Sequence, residues 1–193
     1  MSERTIKSGG VAGVLAAALF ILTAVTDTVA PIDVDYDSPN EYVYVVASTV
    51  AFLAVVVAVI GVRALAARTG RPARLATVAA GLVGVGYGVV GLLNVVNLLA
   101  GGRSLVMVRL GFAVVILVGS AILGVAVLRM HLLPWWCGVL LIVAFPVGHF
   151  ANALFASAEN ILLALLWGSV GVSLLVRATA PVAPAVRQST RVS

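Results

Sequence analysis

An all-α integral membrane bundle of six transmembrane helices is the fold this sequence predicts, and three observations predict it. Of 193 residues, 62% are apolar and 10% charged, against roughly half and a quarter in a soluble domain. The apolar residues number about 120, which is what six helices of roughly 20 residues each consume. They also fall into six runs, and the basic residues collect at alternate breaks between them. An appended soluble domain is thereby excluded.

The first span, Gly9 to Ala30, follows Arg4 and Lys7. Its basic start and the Thr28-Val29-Ala30 ending resemble a signal-peptide cleavage region, but Pro31 follows directly and the apolar run is long for a signal, so it is expected to be retained. The loop from Pro31 to Glu41 is acidic. Asp33, Asp35 and Asp37 alternate as the first oxygen ligands of a calcium loop do, yet Ser38 stands where the sharp turn wants glycine and Glu41 closes too early. They are weak cation candidates; no other metal site is expected, and a solvated acidic loop is the better reading.

The second span runs from Tyr42 to Ala66, and the break from Arg68 to Arg74 carries Gly70 and Pro72. The third, Leu75 to Ala100, contains Gly86-x-Gly88-x-x-Gly91, a dinucleotide fingerprint in form only, because no strand precedes it. Gly84 and Gly88 lie four apart and make a small-residue face suited to close helix approach, here expected in a homo-oligomer. After Gly101 to Ser104 come the fourth span, Leu105 to Leu128, and the turn Arg129 to His131. The fifth span is Leu132 to Phe155, and Ala156 to Ala158 leads to the sixth, Glu159 to Val176. Residues 1–177 thus form one domain. Residues 178–193, with Pro181 and Pro184 and no apolar period, are expected to be a disordered cytoplasmic tail.

Basic residues set the orientation. With both termini cytoplasmic, Arg4, Lys7, Arg63, Arg68, Arg71, Arg74, Arg129, Arg177, Arg187 and Arg191 lie inside, and only Arg103 and Arg109 lie outside. This distribution accounts for the net charge of +5 and leaves no continuous basic groove for nucleic acid. Membrane lipids are the expected surroundings, and the cytoplasmic (inner) membrane the expected location. Cys137 is alone, so no internal disulfide forms.

Polar residues inside spans are costly and are therefore the pointers to a site. Here they gather in the outer half: Thr23, Thr26 and Asp27, then Asn94 and Asn97, whose helical face Tyr87 shares, then Arg109, His149, Asn152, Glu159 and Asn160. Within each span they share a helical face. Pro146 lies one turn before His149, where it removes a hydrogen bond to the Ile142 carbonyl. This pattern predicts an outward-opening polar pocket. Asp27, His149 and Glu159 are its acid or base candidates. Tyr87, Asn94, Asn97, Arg109, Asn152 and Asn160 are its ligand-binding candidates. The competing reading is structural: asparagines as interhelical glue, and Arg109 reaching out to the interface. No cofactor is expected, since His131 and His149 would sit about 27 Å apart on one helix, too far to share a haem iron. Trp167 is expected to fill the bundle. Gly61-Val62, Gly124-Val125 and Gly171-Val172, each with Leu four residues after the glycine, echo one another at the ends of alternate spans.

The layout resembles the small polytopic membrane proteins of GC-rich bacteria that are grouped as families of unknown function. The features shared are Arg4 with Gly10 and Gly13, the acidic first loop, Arg68 to Arg74, and Leu133-Pro134-Trp135-Trp136 leading into Gly138 to Ile142. The resemblance implies no catalytic residues. Three functions stay open: a binding, sensing or accessory membrane subunit; a membrane enzyme acting on a lipid or isoprenoid-like substrate; and a small-solute or proton-coupled transporter.

Overall fold

The computed structural model describes residues 3–29, 38–69, 74–100, 106–152 and 154–179. Six helices make up the described chain: α1 (Glu3–Val29), α2 (Pro39–Arg68), α3 (Arg74–Ala100), α4 (Val106–Met130), α5 (Trp135–Ala151) and α6 (Ala158–Thr179). Five of them are long and apolar enough to cross a membrane. The fifth, α5, has 17 residues, about 25 Å of helix, and is shorter than the expected Leu132 to Phe155. Pro134 caps its start, and Leu132 and Leu133 are buried in the preceding turn, where the Leu132 amide donates to the Val127 carbonyl. At the other end the chain leaves the helix at Asn152 and turns through Ser157, which has a positive φ of 65°. Beyond that turn α6 runs on to Thr179, so residues 178 and 179, expected in the tail, are helical.

Local chemistry explains a second boundary. The start of α2 lies at Pro39, three residues before the expected Tyr42, because Ser38 and Glu41 form a capping box: the Ser38 amide donates to Glu41 Oε2 at 2.8 Å, and the Glu41 amide donates to Ser38 Oγ at 3.3 Å. Pro39 fits the first helical position, where no amide is needed. Glu41 is thereby a buried helix residue and not part of the loop.

Each helix packs on its neighbours in sequence, and α6 returns to α1, closing a ring of six; α2 also touches α6 across it. The start of α1 lies against the end of α6, so these two helix ends share one end of the bundle. Arg4, Lys7, Arg63, Arg68, Arg74, Arg129 and Arg177 all fall at that end, called here the basic end. Glycines bring the backbones together near it. A Cβ on Gly9 would lie 2.6 Å from Gly61 Cα, one on Gly13 2.8 Å from Gly171 Cα, and one on Gly124 2.6 Å from the Gly138 carbonyl oxygen. The repeated Gly-Val echo has its physical meaning here: Gly61, Gly124 and Gly171 are all close-packing positions. In two of the three, the leucine four residues on covers the same partner glycine, Leu128 on Gly138 and Leu175 on Gly10.

Midway along the bundle an aromatic chain fills the ring. Phe20 meets Phe52 at 5.7 Å between ring centroids, Phe52 meets Tyr87 at 5.6 Å, and Tyr87 meets Trp167 edge-on at 5.8 Å. Trp167 is fully buried. A Cβ on Gly84 or Gly88 would lie 4.0 or 3.7 Å from the Val56 side chain of α2, ordinary contact distances, so part of that small-residue face is occupied within the chain itself.

Candidate functional site

The aromatic layer is a floor. Above it, toward the end of the bundle opposite the basic one, lies a cavity of about 230 Å³ with Phe52, Tyr87, Ile116 and Phe145 among its walls and Arg109, His149 and Glu159 as its charged or titratable members. Helical spacing puts these side chains there in pairs and triplets: Arg109, Ala113 and Ile116 on α4, Phe145 and His149 on α5, Glu159 and Leu163 on α6. An adjoining, more enclosed space of about 90 Å³ is lined by Asp27, Tyr44, Ser48, Asn152 and Asn160, and shares Phe52, Arg109, Glu159 and Leu163 with the first.

Two of the carboxylates are engaged. Glu159 Oε2 lies 3.7 Å from His149 Nδ1, with the imidazole 71% and the carboxylate 27% exposed. Close packing puts them together, because a Cβ on Gly148 would touch Glu159 Cα at 2.9 Å and the α5 and α6 backbones therefore meet beside His149. Asp27 accepts a 2.5 Å hydrogen bond from the buried Ser157 hydroxyl. Tyr44 and Asn160 line the smaller space together. Arg109 acts electrostatically on both Glu159 and Tyr44, yet it makes no hydrogen bond or ion pair within reach of another described residue.

Of the residues singled out in the sequence, Tyr87, Arg109, His149 and Glu159 line the larger cavity; Asp27, Arg109, Asn152, Glu159 and Asn160 line the smaller. Asn94 and Asn97 line neither. Asn94 Nδ2 donates to Ser48 Oγ at 3.2 Å and so stands behind a lining residue, while Asn97 Oδ1 is buried without a described partner. Thr23 and Thr26 turn their hydroxyls back to carbonyls of their own helix. Asp33, Asp35 and Asp37 lie outside the described residues. Among the described residues no group of three or more His, Cys, Asp or Glu side chains is placed to hold a metal.

Tyr44, Ser48 and Phe52 are among the lining residues that the sequence does not single out. Their spacing of four is a helical signal, since it puts all three on one face of α2. Hydropathy alone hides it, because a tyrosine near the end of a span is typical of the membrane interface and a phenylalanine at its middle of the bundle core. Ser157 lies in the expected break from Ala156 to Ala158, and its bond to Asp27 is invisible at 130 residues' separation.

No family model, curated protein or solved structure matches the chain. The resemblance to small polytopic bacterial proteins therefore rests on the helical, apolar layout alone.

Proposed function

We propose that the protein is a multi-pass protein of the cytoplasmic membrane that binds a small ligand in the cavity above the aromatic floor, and acts as a binding, sensing or accessory subunit. The cavity carries this reading: an apolar pocket with a few convergent polar groups is the usual form of a small-molecule site, and here Arg109, His149 and Glu159 converge over Phe52, Tyr87 and Phe145. With the basic end on the cytoplasmic side, the cavity belongs to the outer half of the membrane. Native mass spectrometry of the protein released from membranes tests it. Wild type is expected to carry a small bound species that Ala113→Trp, which fills the cavity, loses. A bare wild type, or an adduct that persists in the variant, overturns the reading.

One observation favours a second reading, catalysis on a lipid or isoprenoid-like molecule: the 3.7 Å approach of Glu159 to His149 pairs an acid and a base at the cavity wall. That reading requires chemical change in the bound species, lost in His149→Ala with binding retained. Transport is favoured less. Below the aromatic layer the buried polar side chains of the described core are few, Ser120 and the Cys137–Ser173 contact of 3.6 Å among them, and backbone meets backbone at Gly9 and Gly61.

A further inference from the structure

The α4–α5 seam changes character along its length. Near the basic end Gly124 and Gly138 bring the two backbones into contact. Ala113 lies on the same face of α4 as Gly124, three turns away, and there the space between the helices is cavity, bounded across the gap by Phe145 and His149. The three exposed lining residues, Arg109, Leu110 and His149, all stand on this seam. The surface around them is apolar, with Met107 81% and Phe150 76% exposed.

Hydrogen-bonding capacity at this mouth is left over on a donor. Asp27 accepts from Ser157 and Glu159 lies 3.7 Å from His149, whereas the Arg109 guanidinium, with its five N–H donors, makes no hydrogen bond or close ion pair with another described residue. Arg109 also stands in the first turn of α4, where the positive end of the helix dipole opposes a cation and favours an anion beside it. Deeper in, the walls are hydrocarbon and aromatic ring. At about 230 Å³ the cavity holds roughly eight waters' volume, enough for a slim chain but not for a whole diacyl lipid.

Resting on the reading of this cavity as a ligand site, we propose that its ligand is a single-chain amphiphile with an anionic head, which enters from the membrane between α4 and α5. The head sits against Arg109 and His149. The chain runs past Leu110 and Ala113 to Phe145, Ile116 and the Tyr87 ring.

Trp167, edge-on to Tyr87, is a built-in reporter. In a Trp135→Phe, Trp136→Phe background it is the sole tryptophan. In phosphatidylcholine nanodiscs, dodecanoate brominated at its terminal carbon is expected to quench it saturably, and the matching brominated dodecylamine is not. Arg109→Gln is expected to raise the half-saturating dodecanoate concentration about tenfold, as loss of a charged hydrogen bond does, while Arg109→Lys keeps it near wild type. Ala113→Phe should abolish the quenching. Saturable quenching by the amine as strong as by the carboxylate overturns the anionic head and leaves the cavity reading standing. Quenching by neither, or carboxylate quenching that survives Ala113→Phe, overturns the amphiphile itself; the adduct measurement then judges the cavity separately.

Discussion

The Ser157 hydroxyl donates a 2.5 Å hydrogen bond to Asp27, tying the turn before α6 to the last turns of α1 across 130 residues of sequence. Ser157 is fully buried and holds a φ of 65°, the left-handed region that costs a side chain roughly 1–2 kcal/mol. The bond offsets that cost. Ser157→Ala keeps the strain and loses the bond to a carboxylate, so it should destabilise by about 1.5–3 kcal/mol. Ser157→Gly loses the same bond but relieves the backbone, and should cost about 1 kcal/mol less. Thermal unfolding in mild detergent orders the three proteins; Ala as stable as wild type would mean that the hydroxyl does not hold the turn.

Glycine contacts make an independent prediction. A Cβ on Gly171 would meet the Val14 amide nitrogen at 2.6 Å and the Gly10 carbonyl oxygen at 2.8 Å, both backbone atoms that cannot swing away. Gly171→Ala should therefore push α1 from α6 and cost about 1–3 kcal/mol. Gly111 is the internal control, because nothing lies within 4 Å of its added Cβ. Gly111→Ala should stabilise by about 0.5–1 kcal/mol through helix propensity. The same unfolding measurement reads both, and equal effects would contradict the close α1–α6 approach.

Orientation is open to a chemical test. Cys137 is fully buried and should stay unlabelled by a membrane-impermeant maleimide. His149 has a side chain 71% exposed. His149→Cys in a Cys137→Ala background should therefore label in intact cells, from outside, if the basic end is cytoplasmic. Labelling that needs permeabilised cells would invert the proposed topology.

Much of the helical layout is legible in the sequence, because a run of apolar residues needs no information about its neighbours. The starts of α3 and α4 lie within a residue of those expected. Boundaries failed where short-range chemistry was passed over. Ser38-Pro39-Asn40-Glu41 spells a helix start, and Asn152, Leu154 and Phe155, expected within the fifth span, lie between α5 and α6.

Helical phase went one step further and stopped. It groups Tyr87, Asn94 and Asn97 on one face of α3, but the structure puts Tyr87 on the cavity wall, Asn94 behind Ser48 and Asn97 away from both cavities. A face some three turns long meets different neighbours at different heights, and which neighbour it meets depends on helix rotation and crossing, set by contacts such as Gly148 on Glu159 and Gly124 on Gly138.

By itself the sequence determined the helical class, the six elements and the end of each that is basic, since these follow from local hydropathy and charge. Only the tertiary structure decided that Arg109, His149 and Glu159 border one cavity, that aromatic rings from four helices form a layer at mid-bundle, and that Asp27 is engaged by Ser157. Those relationships join residues tens to more than a hundred positions apart, and close packing of whole helices, not any local preference, brings them together.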